Sequence, residues 1–533
     1  MCGGVDGDAP EAGGGTSPYT GGAAGGSRGA MAAPARHKGP AASLYNVTGG
    51  LTIEAPGNEP VRRTPRQSRN GYPTPSGNPA RGVANRPEMI MSHQPRPSPP
   101  GPTTLPRGGR PAPGPLQALA ALPLASLLIL AGLAGCGEGS ITGPPDEIEA
   151  LPRSLSLAEQ ELIDAGNDFA FRFLDEIYGA EPGENLFLSP LSASMALGMT
   201  TNGAAGATFQ EMRQTLGFGS MTLEEINQGY RDLIDLLRSL DPRVELAIGN
   251  SVWYREGFPV KADFLDRTHT YFDAEVAGLD FGDPAAAGTI NAWVEDATKG
   301  KIEEIVESPI DPLTVMFLIN AVYFKGDWTQ RFDKEKTADA SFHAADGSTA
   351  KVPLMELTAT VEYAETDEYQ MVDLPYGGKA FSMTVVLPRE DRSVADLVAS
   401  LDPDTWATMT RELANREGTV LLPRFRMEWE KVLNETLQAM GMEKPFNPGQ
   451  ADFSGMSEVA LQQELHITEV KQKTYVDVNE EGTEAAAVTS VEMGVRSMPD
   501  LFELRADRPF LFVLRERLSG TILFAGIYAE KPA

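Results

Sequence analysis

Apolar positions divide the chain into regimes. Residues 1–115 are crowded with Gly, Pro, Ser and Arg and show no sustained apolar period. Such a composition buries too little surface to offset the entropy of ordering, so disorder is expected there. A largely apolar run from Leu116 then leads into a small-residue stretch ending at Cys136. From about residue 157 onward the apolar residues become periodic. Leu162, Gly166, Phe169, Phe173 and Ile177 recur at the spacing of an amphipathic helix, with Asp, Glu and Arg between them. Further helices are predicted at 190–199, 224–239, 285–298 and 431–440. Strand-like runs lie at 246–254, 315–324, 383–388, 420–427 and 521–528.

Helices therefore come mostly early and strands mostly late, and no Pro/Gly-rich linker interrupts residues 157–533. That distribution predicts one large α+β domain with antiparallel sheets. Ahead of it the expected order is a disordered or misassigned leader (1–115), a signal segment (116–136) and a polar tether (137–156).

One stretch fits neither period. In EEGTEAAAVTSVEMGVRSMPD, residues 480–500, one strand register reads Thr483, Ala485, Ala487, Thr489, Val491, Met493. The other reads Glu484, Ala486, Val488, Ser490, Glu492, Gly494. As a strand it would bury a small, uncharged face and leave both glutamates in water. Gly482 and its small neighbours suit a surface loop equally well. The segment is built for two environments.

Charge narrows the partners. The chain carries a formal −29, and its first 136 residues hold 12 of the 45 basic and 6 of the 74 acidic side chains, leaving about −35 for the rest. A surface of that sign repels nucleic acid and anionic lipid and steers basic partners inward. Arg107 and Arg110 before the apolar run read as a secretory signal, although about 20 such residues also suffice to span a bilayer. The ending Leu-Ala-Gly-Cys resembles a bacterial lipobox. Cleavage before Cys136 would leave its thiol to carry lipid, and Gly137, rather than Asp, gives no inner-membrane retention signal. An extracytoplasmic, membrane-tethered protein is expected. Because a signal belongs at a true N-terminus, the start is expected to be misassigned, with Met89 and Met91 as alternatives. Cys2 and Cys136 are the two cysteines, so the domain that follows has neither disulfide nor thiol chemistry.

Catalytic signatures are missing from the sequence. Beyond Cys136 the histidines are His269, His343 and His466, none in metal-ligand spacing, and there is no GxSxG elbow, P-loop or dinucleotide fingerprint. The reading is a non-enzyme with no cofactor and no metal.

Several segments, in order, resemble the serpin family of serine protease inhibitors. They are NLFLSPLSASMALGMTTNGAAGAT (185–208), IGNSVWY (248–254), INAWVEDATKGKI (290–302), LINAVYFKGDWTQRFD (318–333), DLPYGG (373–378), LPRFRME (422–428), ADFSGM (451–456) and RADRPFLFVL (505–514). The resemblance covers nearly all of 157–533. It implies an α+β serpin fold of about nine helices and three β-sheets, the largest five-stranded and able to accept its reactive loop as a sixth strand. Glu480, Glu481, Gly482, Thr483, Glu484, Ala485, Ala486 and Ala487 match the family's hinge, and the family spacing puts the bait bond at Arg496–Ser497.

The implied function is suicide inhibition of a trypsin-like serine protease, by a monomer that traps the acyl-enzyme through loop insertion. The alternative is a serpin-fold surface lipoprotein that is merely cleaved or serves as a binding module. By the same resemblance Ser189, Ser192, Asn320, Gln472 and Trp328 belong to the region where the large sheet opens. Gln472 stands where many relatives carry His; Gln can still hydrogen-bond to Asn320, but the pH-sensitive contact of a His is absent. Val488 is bulkier than the usual small residue there, in the outward register.

Overall fold

The chain enters the fold where its composition predicts no order. Residues Val47–Glu54 form strand β1, deep within a sheet and far in sequence from the rest of it. The computed structural model describes residues 47–54, 147–482 and 501–530, all of one unit.

Next come α1 (Leu157–Ala180), β2 (Leu186–Leu188), α2 (Pro190–Thr201), α3 (Gly206–Thr215) and α4 (Leu223–Ser239). The middle of the chain supplies β3 (Val244–Arg255), α5 (Ala262–Phe272), β4 (Ala274–Leu279), α6 (Ala285–Ala297) and β5 (Thr314–Gly326). Strands then dominate: β6 (Asp333–His343), β7 (Thr349–Glu365), β8 (Tyr369–Tyr376) and β9 (Phe381–Pro388), followed by the short α7 (Val394–Ala399) and α8 (Pro403–Arg411). The last elements are β10 (Ala414–Pro423), β11 (Phe425–Val432), α9 (Asn434–Ala439), β12 (His466–Val478), β13 (Phe502–Arg505), β14 (Phe510–Glu516) and β15 (Ile522–Tyr528).

Local signals explain the helix starts. Ser156 and Thr222 cap α1 and α4, each accepting from the backbone N–H three residues on, while Glu159 and Glu225 return the bond as capping boxes. Ser189 followed by Pro190 begins α2, which is buried along its whole length.

The six-stranded sheet has the order β11-β12-β1-β5-β3-β4, with β1 antiparallel to both neighbours. Behind β1 and β5 lies α2. On the opposite face α6 seals Trp253, Phe317 and Ile319 beneath Ile290 and Val294. The other nine strands form one continuous ladder. Long β7 is shared between its β6-β7-β10-β13 part and its β8-β9-β14-β15-β2 part, so two of the three expected sheets run into one another. The α+β class and the nine helices, counted among the described residues, agree with the sequence reading.

Three boundaries differ from it. The apolar run 420–427 is two strands in two sheets: Pro423 ends β10, Arg424 turns its N–H to the Pro353 carbonyl (2.8 Å), and Phe425 starts β11. Lys431 and Val432, predicted helical, close β11 instead, opposite Gln472 and Lys471. Residues 147–156, read as tether, are docked on the domain. The Ile148 N–H donates to the Gly378 carbonyl at 2.8 Å, Glu147 pairs with Lys379, and Ile148, Leu151 and Leu155 pack on the core.

Candidate functional site

Among the residues singled out from sequence, Glu480, Glu481 and Gly482 form a clamped turn at the end of β12. Asn479 and Gly482 make an antiparallel bridge, and the Asn479 side-chain oxygen accepts from the Glu481 N–H at 3.0 Å. Gly482 sits at φ +82°, where a Cβ would lie 2.1 Å from the Trp328 nitrogen. Both its conformation and its surroundings therefore exclude a side chain.

Trp328 is the anchor of this turn. Its ring is 3% exposed and stacks on Tyr376 at 4.2 Å between centroids. Its indole Nε1–H donates to the Asn479 carbonyl (2.8 Å), and its backbone N–H donates to that of Glu481 (3.2 Å). One residue thus holds the turn from two sides.

The two glutamates of the turn serve different contacts. Glu480 is buried; Thr337 Oγ1 donates to its carboxylate at 2.7 Å and Arg424 stands at 3.4 Å. The Phe332 N–H meets its carbonyl at 3.0 Å. Glu481 pairs with Lys334 on β6. Asp327, just before Trp328, is pushed up by burial against the opposing pull of Arg331.

Deeper in the sheet lies the polar cluster. Ser189 Oγ donates to the Leu523 carbonyl (2.7 Å) and accepts from the Ser192 N–H (3.2 Å). Gln472 is fully buried and bonds the Ser189 backbone twice, accepting from its N–H at 3.1 Å and donating to its carbonyl at 2.9 Å. Asn320 donates to Asn250 Oδ1 at 2.7 Å. Asn320 Oδ1 and Ser192 Oγ are buried with no hydrogen-bond partner among the described residues.

A Gln472–Asn320 bond is not formed, because a strand lies between them. Gly49 of β1 is opposite Gln472 on one side and Asn320 on the other. Two strand spacings, about 9.5 Å, separate β12 from β5. Their flanks make a slot one strand wide, and the turn at Gly482 sits at its mouth.

Thr483, Glu484, Ala485, Ala486, Ala487, Arg496, Ser497 and Cys136 lie outside the described residues. Sequence reasoning missed Asn479, Phe332, Thr337 and Arg424. Asn479 alone carried a local signal, an Asn directly before Glu-Glu-Gly, where its side chain can bond its own backbone two residues on.

Residues 164–530 match the family model Serpin (serine protease inhibitor). The chain is 36% identical over 375 residues to Iripin-3 of Ixodes ricinus, covering 69% of this chain and 94% of that protein. Among solved structures it is similar to the native state of the thermophilic serpin tengpin, at 29% identity and a TM-score of 0.63 over 71% of this chain and 96% of that one. It is equally similar to human thyroxine-binding globulin, solved in complex with thyroxine, at 30% identity and a TM-score of 0.63 over 70% of this chain and 100% of that one.

Proposed function

Because the chain belongs to the serpin family, we propose that it inhibits trypsin-like serine proteases irreversibly, with Arg496–Ser497 as bait bond. The observation that carries this reading is the slot between β5 and β12, entered from a hinge whose glycine tolerates no side chain. An Arg at the bait position matches a primary pocket with an acidic base. The protease serine attacks the Arg496 carbonyl, expels the Ser497 amine and becomes esterified to Arg496, as on any substrate.

Cleavage releases the chain after Gly482 to enter the slot, the strand addition for which this family is the established example. Residues 483–495 extend roughly 40 Å at about 3.3 Å each, carrying the acylated protease away from its docking site before water hydrolyses the ester. Each inserted residue gains ladder hydrogen bonds and buries apolar surface. The small residues Thr483, Ala485 and Ala487 keep that entry fast relative to deacylation.

Incubation with trypsin followed by denaturing electrophoresis tests the reading. The expected result is a band near the summed mass that survives SDS, with cleavage after Arg496 by mass spectrometry. Thr483→Arg should abolish the band without slowing cleavage; cleavage at Arg496 with no band from any variant would overturn trapping. Cys136 is proposed to carry the lipid that holds the protein at an extracytoplasmic membrane surface. Loss of membrane association in Cys136→Ser checks it.

One observation favours the second reading, a cleaved substrate or binding module: β1 already fills the slot.

A further inference from the structure

We infer that residues 47–54 are a built-in strand ligand of the slot, a plug from the chain's own leader that competes with the reactive segment for the space between β5 and β12. The consequence for trapping rests on the inhibitor reading above; occupancy of the slot does not.

Four features of the backbone and sequence converge. First, β1 pairs along its whole length with both walls, Val47 opposite Thr474 and Val322, Leu51 opposite Val470 and Leu318. A central strand satisfied on both edges is the most complete form of strand addition.

Second, the direction is that of the invading loop. Continuing the register of the Asn479–Gly482 bridge antiparallel to β12 would bring Ala487 opposite Thr474 and Val491 opposite Val470. Those are the partners that Val47 and Leu51 hold. Third, the alternation agrees. Register positions 47, 49 and 51 (Val, Gly, Leu) coincide with Ala487, Thr489 and Val491, while 48, 50 and 52 (Thr, Gly, Thr) coincide with Val488, Ser490 and Glu492. In β1 Val47 and Leu51 share one register and Thr48 and Thr52 the other; in the loop Ala487 and Val491 share the first and Ser490 and Glu492 the second, with Thr489 and Val488 as the exceptions. Fourth, a glycine occupies the position between Gln472 and Asn320, where Ser189, Ser192 and Asn250 already crowd the buried interior. No side chain is added to that cluster.

The plug is also placed to stop insertion partway. β1 begins at Val47, four positions below Val478, where the bridge register puts Thr483. Residues 483–486 could enter above it, whereas Ala487 and everything beyond would need the space that β1 holds. The full-length chain should therefore partition toward simple cleavage, and removal of the plug should shift it toward the trapped complex.

Leu51→Pro in the full chain tests this, since proline lacks the N–H that a central strand must donate. Leu51→Val, which keeps strand propensity, serves as control. Hydrogen exchange of residues 314–324 and 466–474 is expected to be at least tenfold faster in Leu51→Pro than in wild type or Leu51→Val. A biotinylated synthetic peptide of residues 47–54 should be captured by Leu51→Pro and not by the other two chains. Equal exchange in all three, with no peptide capture, would overturn the plug. Exchange that depends on protein concentration would overturn it as an intramolecular device. With trypsin, Leu51→Pro should give a larger fraction of SDS-stable band than wild type. A band in neither would sink trapping alone, and exchange would still decide the plug.

Discussion

The two sheet systems handle buried polarity in opposite ways. In the nine-strand ladder β9, β14 and β15 are buried at every residue, and the charge beneath them is compensated within a tight cluster. Asp373 accepts from Ser382 Oγ at 2.8 Å and faces Arg515 at 3.2 Å and Arg517 at 3.0 Å. Phe187, Phe425, Phe512 and Phe524 stack around the neighbouring strands. Beside the six-strand sheet, Asn320 Oδ1 of β5 and Ser192 Oγ of α2 are buried with no hydrogen-bond partner among the described residues, as is Tyr376 Oη in the ladder, and glycines stand at 49 and 50 in the sheet's centre. A packed and neutralised interior resists rearrangement, whereas orphaned polar atoms beside a strand with two central glycines leave the slot less tightly determined. The ladder is the frame; the slot is the part with alternatives.

Breaking the frame should have the largest effect. Asp373→Asn leaves Arg515, 8% exposed, and Arg517 without their shared counter-charge, which should cost about 3–5 kcal/mol. Urea unfolding monitored by circular dichroism measures it. The acid response follows. Burial raises the Asp373 carboxyl, but Arg515, Arg517 and the hydroxyls of Thr384 and Ser382 outweigh it and hold the group below the ordinary aspartate value. A lowered folded value means stability that is full above about pH 3.9 and lost as pH falls through the folded pKa. Asp373→Asn should flatten that part of the acid profile, and an unchanged profile would place the acid-sensitive group elsewhere.

An intermediate effect is expected in the slot wall. Gln472→Ala strips both bonds from the Ser189 backbone, leaving its buried N–H unpaired at about 1–3 kcal/mol while its carbonyl keeps the Ala193 N–H (3.2 Å). The loss should appear first as faster hydrogen exchange in β12 and β5, with the ladder protected until global unfolding. Equal acceleration in both sheets would erase the distinction between frame and slot.

Much of the frame was legible in sequence because its elements carry their own period. Helices α2, α4 and α6 and strands β3, β5, β9 and β15 lie where the apolar spacing put them. Boundaries failed where one apolar run feeds two sheets, as at Pro423 and Phe425, since period 2 records alternation and not which partner is chosen. The resemblance put Glu480–Gly482 in a hinge and Trp328 where the large sheet opens, and in the fold that turn and that tryptophan are in contact. Whether Gln472 reaches Asn320 depends on what lies between the two strands, and Gly49 of β1 does. That occupant, residues 47–54, sits in a Gly/Pro-rich leader with two glycines at its centre. Val47, Thr48, Thr52 and Ile53 favour a strand but are interrupted by those glycines, so the two waiting edges complete what the sequence only half specifies.

The finest test of the comparison lies where frame and slot meet. Trp328 belongs to both: its ring stacks on Tyr376 at the end of β8, while its indole N–H holds the Asn479 carbonyl of the hinge. Trp328→Phe keeps an aromatic ring against Tyr376 while removing the donor and part of the buried indole, so the expected cost is about 1–2 kcal/mol. If hinge and frame are separable, that cost appears as faster exchange of the Glu481 and Gly482 amides, with Asp373 and its arginines undisturbed. A urea midpoint lowered as far as in Gln472→Ala would instead make Trp328 part of the frame. The hinge would then be released only by loosening the fold that supports it.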